Sequence, residues 1–153
     1  MNGAPVQRLP TFEEWHGHPT RVMEGWFDKL ARTIAWDFDG VLHPYTNGWT
    51  GSTPDDEPPV PGVRDVLAAL QADGYRQVVF STRANHVEGA DGIAAWLDAH
   101  DLARFFDEVT HSKPPAIAYV DDRAVPFVGD RAAVRDGIER LGGGRSHGAA
   151  PTP

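Results

Sequence analysis

The chain of 153 residues contains no cysteine. That excludes disulfide staples, thiolate zinc sites and cysteine nucleophiles, and leaves catalysis and metal binding to oxygen and nitrogen donors. Basic residues are scarce: 14 Lys and Arg stand against 22 Asp and Glu, a formal net charge of -8. A field of that sign repels a phosphate backbone, so no stable nucleic-acid binding is expected. No segment approaches the roughly 18 consecutive apolar residues of a membrane span, and the opening "MNGAPVQRLPTFEEW" has no basic stretch leading into an apolar one. The expectation is a soluble, cytoplasmic protein without a membrane partner. The seven histidines lack the spacing of a zinc site. Homo-oligomerisation is left open.

What is present reads as one compact domain, since 41% hydrophobic residues over this length can build a single core but not two ordinary ones. Residues 1–10 and 142–153 are small, polar and proline-bearing, and are expected to be flexible ends around a domain spanning 11–141. Thr11 with Glu14 fits a capping box, and Val22, Trp26, Phe27 and Leu30 follow at helical spacing, which predicts an N-terminal helical segment. "TIAW" (33–36), "QVVF" (77–80) and "IAYV" (117–120) are short β-prone runs, with "EVT" (108–110) a weaker one. Between them, Val63, Val66, Leu67 and Leu70 line one helical face that Gly74 would cap. Ile93, Trp96, Leu97 and His100 line a second, despite two glycines, and Val134, Ile138 and Leu141 a third. Strands alternating with helices predict an α/β fold: a Rossmann-like three-layer sandwich around a largely parallel sheet.

In such sheets ligands bind beyond the carboxyl ends of the strands. Asp37 and Asp39 follow the first strand, Ser81 the second, and Asp121 and Asp122 the last, with Lys113 in the loop before it. Four carboxylates gathered there would raise one another's pKa unless a cation lay among them, and hard oxygen donors suit Mg²⁺. One acid of the Asp37/Asp39 pair would attack phosphorus while the other exchanges a proton with the leaving oxygen. Gly40 permits the tight bend that follows. Each residue taken singly also reads as a turn, cap or surface group.

The ordered set "DFDGVL" (37–42), "VVFSTR" (78–83), "SKPPA" (112–116) and "YVDDRA" (119–124) resembles the four motifs of the haloacid dehalogenase superfamily of phosphohydrolases. The resemblance spans residues 33–128. It implies a Mg²⁺-dependent phosphomonoester hydrolase in which Asp37 forms an aspartyl-phosphate and Asp39 protonates the leaving group and then activates water. It further implies that Ser81 binds the phosphoryl oxygens and Lys113 offsets negative charge. Mg²⁺ would be held by Asp37, the carbonyl of Asp39 and a carboxylate from Asp121 or Asp122; which of the two is open, and Thr82 is an alternative to Ser81. Small phosphorylated metabolites such as nucleotides or sugar phosphates are the expected substrates. Trimming of terminal phosphates from nucleic acid or protein, and a non-hydrolytic phosphoacceptor module, are the alternatives. A phosphotransferase using an acceptor other than water would look the same.

Larger members of that superfamily carry a cap domain. Here residues 43–60, "HPYTNGWTGSTPDDEPPV", form a Pro/Gly/Thr/Asp-rich loop without helical period, and no separate cap domain is expected. His43, Tyr45 and Trp49 become candidates for a pocket rim. Trp49 reads either as a stacking platform or as a packing anchor. Arg83, Asn85 and His86 are candidates to touch a substrate's far end, and Arg83 reads equally as the partner of a nearby carboxylate.

Overall fold

The computed structural model describes residues 30 and 32–143. The N-terminal helical segment expected from residue 11, and the tail beyond residue 143, lie outside the described residues. Four strands form one all-parallel sheet: β1 (Thr33–Trp36), β2 (Arg76–Phe80), β3 (Glu108–Thr110) and β4 (Ala118–Val120). Their order is β3-β2-β1-β4. The chain therefore steps outward from β1 to β3 and then returns to the other side of β1, which makes the β1/β4 boundary the point where strand order reverses. All four β1 residues are buried, as expected of a central strand in a parallel sheet.

Helices flank the sheet. α1 (Val63–Ala72) ends in a Schellman pair: Gly74 N–H donates to Gln71 O (3.0 Å) and Tyr75 N–H to Leu70 O (3.0 Å). The expected capping role of Gly74 holds, for its φ is 84°, a conformation open to glycine at little cost. α2 (Val87–Ala99) closes in the same way, with Asp101 N–H on Asp98 O (3.0 Å) and Leu102 N–H on Leu97 O (2.7 Å). Here Asp101, at φ 58°, takes the left-handed position. The core joins Ile34, Trp36 and Val79 of the sheet to Val63 and Leu67 of α1 and to Ile93, Trp96 and Leu97 of α2. Val66 departs from the expected apolar face and is exposed. Helical drift carries i+3 from Val63 toward solvent, while i+4 stays on the sheet.

The two glycines of α2 that weaken its helical pattern have a packing reason. A Cβ on Gly89 would lie 1.9 Å from Arg83 O, and one on Gly92 would lie 2.9 Å from Pro54 Cδ and 3.1 Å from Thr53 Cα. Only glycine lets the helix approach both backbones so closely.

The chain divides into two compact units, at Val120 and Asp121. In the second, Asp130 opens α3 (Arg131–Gly143) by accepting Ala132 N–H at its Oδ1 (2.9 Å). Gly137 of α3 lies close against Val125. Gly142 and Gly143, expected to begin a flexible tail, are helical. Ile138 is exposed instead of lying on a buried face with Val134 and Leu141, which are half-buried.

Candidate functional site

Asp37 is the first residue beyond β1. Its N–H donates to Val120 O (2.9 Å), so it sits at the β1/β4 reversal. Its Oδ1 accepts the Phe38 N–H (2.7 Å). Phe38 is buried, and its carbonyl accepts from Val41 (3.3 Å), Leu42 (3.0 Å) and His43 (2.9 Å). Gly40, at φ 90°, completes the bend by donating to His43 O (2.7 Å), as its expected role requires. Phe38 and Leu42 anchor this turn in the core. The acids on either side of Phe38 stay half-buried at its edge.

Asp39 is held by Arg83. Nε donates to Oδ2 (3.1 Å) and Nη2 to Oδ1 (2.9 Å), a two-point ion pair. Arg83 is only 2% exposed. Its Nη1 donates to the carbonyls of Gly51 and, at 3.1 Å, Ser52, and its guanidinium carbon lies 4.4 Å from the centroid of the Trp49 ring. Of the two readings of Arg83 in the sequence, the ion pair is the one formed. Trp49 is itself 60% exposed.

Ser81 follows β2, donates its N–H to Thr110 O (2.9 Å) and is buried. Its Oγ accepts the Arg83 N–H (3.2 Å) at the head of a 3-10 turn, Thr82–Asn85, and keeps a hydroxyl proton to give elsewhere. Since Trp36 pairs with Val79, the register sets Asp37 level with Phe80, one residue short of Ser81. Thr82, Asn85 and His86 are exposed. Lys113 is exposed too, its Nζ 4.5 Å from the centroid of the Tyr119 ring. Burial raises the Tyr119 hydroxyl above its ordinary pKa. Asp121 and Asp122 open the second unit, where Asp121 Oδ1 accepts the Arg123 N–H (2.6 Å). Asp37, Asp39, Ser81 and Arg83 are thus gathered at neighbouring strand ends within the first unit.

Residues 43–60 contain no helix or strand, yet the loop is pinned throughout. Val60 N–H donates to Leu42 O (3.0 Å), joining its ends. His43 is buried, not on a rim: Tyr45 N–H donates to Nδ1 (3.0 Å), Nε2 lies 2.8 Å from Asp55 Oδ1, and the ring stacks on Phe38. Tyr45, at φ 59°, takes a strained turn for that bond. Asn47 Nδ2 donates to Asp55 Oδ2 (3.0 Å), Thr46 N–H to Glu57 Oε2 (3.0 Å), and Trp96 Nε1 to Glu57 O (3.0 Å). The Asn47 bond, with a hydrogen bond from His43 Nε2, holds the Asp55 carboxyl below its ordinary pKa against a smaller opposing desolvation.

His43, Asp55 and Glu57 bring donor atoms within 4.8 Å of one another, as a metal site would. The hydrogen bonds argue for a staple instead. Because Nδ1 accepts, the ring proton is assigned to Nε2, which points at Asp55 and has no lone pair for an ion. Asn47, Asp55 and Glu57 escaped the sequence reading, which took Gly89 and Gly92 only as weak points of a helix. The one usable signal was the glycine pair three residues apart beside Ile93 and Trp96, the mark of a close backbone contact.

Among the described residues no helix is long and apolar enough to cross a membrane. Comparison with known proteins finds no matching family model and no matching curated sequence.

Proposed function

We propose that the protein is a Mg²⁺-dependent phosphomonoester hydrolase that works through an aspartyl-phosphate on Asp37, on a Rossmann-like three-layer α/β scaffold. The observation that carries the reading is the position of Asp37 beyond the carboxyl end of β1, with its N–H on Val120 O where strand order reverses. That boundary is where open parallel sheets bind ligands. The buried hydroxyl of Ser81 one strand away, and a second acid two residues on, add to it.

In the proposed reaction a carboxylate oxygen of Asp37 attacks phosphorus, and the bond from phosphorus to the leaving oxygen breaks as Asp39, which enters this step as the protonated acid with both oxygens still accepting from Arg83, gives that oxygen its proton. Asp39 then takes a proton from water, whose oxygen attacks the phosphoryl group and releases phosphate and the Asp37 carboxylate. Ser81 Oγ–H donates to a phosphoryl oxygen, and Lys113 supplies positive charge. Mg²⁺ would be held by the Asp37 carboxylate, the Asp39 carbonyl and a carboxylate of Asp121 or Asp122, hard oxygen donors of the kind that suit it. When bound, the ion would offset charge on the transferring phosphoryl group.

With the 43–60 loop as the cover on this side, small phosphorylated metabolites, nucleotides or sugar phosphates, are the proposed substrates. Phosphate release should be measured from a panel of aryl, nucleoside, sugar and terminally phosphorylated oligonucleotide esters, with and without Mg²⁺, for the wild type and Asp37→Asn. Release that needs Mg²⁺ and disappears in the variant supports the mechanism. Equal release by a folded Asp37→Asn protein rules it out.

A further inference from the structure

Arg83 does more than neutralise a half-buried acid. One guanidinium joins Asp39 to three points of the loop opposite: the carbonyls of Gly51 and Ser52 and the ring of Trp49. Four of its donor contacts are thereby used, two on the acid and two on the loop. The backbone of Arg83 is equally constrained, by the Ser81 cap and by the close approach of Gly89. Gly92 in turn sets Thr53 and Pro54 against α2, so the loop segment that Arg83 grips is backed by the helix.

We propose that Arg83 is the positioning residue of the site, holding the Asp39 carboxylate and residues 49–52 as one rigid body. This rests on the phosphohydrolase reading above. A guanidinium that binds both oxygens fixes the plane of the carboxylate and takes one lone-pair direction on each oxygen. The remaining directions are left for the proton exchanged with the leaving group. Proton transfer is steep in geometry, so an acid loose by a fraction of an ångström loses most of its effect. Arg83 touches neither substrate nor phosphorus in this scheme; it acts through Asp39.

The role leaves a signature that a merely structural residue would not. A 4-nitrophenyl ester expels a leaving group that needs little protonation, whereas an alkyl ester requires a proton. Phosphate release in Mg²⁺ from both esters should be compared for the wild type, Arg83→Lys and Trp49→Ala, with far-UV circular dichroism as a check on folding. Trp49 is exposed, so its replacement keeps the test usable if Arg83→Lys fails to fold. The expected result is a loss of kcat on the alkyl ester larger than on the aryl ester by about 100-fold for Arg83→Lys and about 10-fold for Trp49→Ala, with KM little changed. In parallel, NMR exchange of the Arg83 Nε–H, protected in the wild type, should accelerate in both Asp39→Asn and Trp49→Ala. Equal losses on the two esters, or exchange unchanged in both variants, overturns the positioning role alone. No release from either ester by the wild type overturns the phosphohydrolase reading and this one with it.

Discussion

Arg83 and Asp39 meet in a two-point ion pair, 2.9 and 3.1 Å, in which the guanidinium is buried and the carboxylate keeps some contact with water. The asymmetry decides which partner is costlier to lose. A buried charge stripped of its partner is strongly destabilising, and it is the arginine that cannot reach solvent.

Asp39→Ala should therefore cost about 3 kcal/mol of stability, more than Arg83→Met at about 2 kcal/mol. The double variant should recover part of the sum, because the two side chains are coupled. Urea unfolding of the four proteins gives the cycle. An additive result would show that the pair contributes nothing as a pair.

Gly89 and Gly142 both lie in helices but in opposite surroundings. A Cβ on Gly89 would collide with Arg83 O at 1.9 Å, whereas one on Gly142 meets nothing within 4 Å. Gly89→Ala should lose about 2 kcal/mol or more from overpacking, outweighing its gain of about 1 kcal/mol in helix propensity. Gly142→Ala should leave stability unchanged or raise it by up to about 1 kcal/mol. Thermal melts of the two variants separate these cases, and a stabilised Gly89→Ala protein would contradict the close contact.

The loop staple predicts a pH dependence. Asp55 is held below the ordinary 3.8, first by Asn47 and then by His43. A carboxyl depressed in the folded state stabilises the fold fully above its unfolded pKa, and that stabilisation disappears as pH falls through the folded value. Asn47→Ala should accordingly be less stable than the wild type near neutral pH, and the gap should narrow in strong acid, where both carry a protonated Asp55. Urea midpoints measured at about pH 6 and about pH 2 test this. A gap independent of pH would remove Asp55 as its source.

The strands were readable because each is a short β-prone run between turn residues, and the structure keeps "TIAW" and "EVT" to the residue and the other two within one. Helix faces were less so. The 3.6-residue period marks a stripe but not its edges, which is why Val66 and Ile138 were misplaced. The loop from 43 to 60 read only as irregular, since hydrogen bonds such as Asn47 to Asp55 or Thr46 to Glu57 follow no local period. At the candidate site, the acids and Ser81 were legible as polar residues at strand ends. The place of His43 was not, and Arg83 was legible as the partner of a carboxylate but not of which one, because a side chain's partner 12 or 44 residues away leaves no trace in its own neighbourhood.

By itself the sequence determined an α/β chain whose acids fall just beyond its strands, because burial and turn chemistry act over a few residues and are written locally. Only the tertiary structure decided that β1 lies between β2 and β4, which sets Asp37 at the reversal of strand order. It alone turned Arg83 inward to Asp39 and closed the loop around His43. Those outcomes depend on which distant groups are brought together out of water, where an unpaired charge or hydrogen-bonding group is too costly to leave alone.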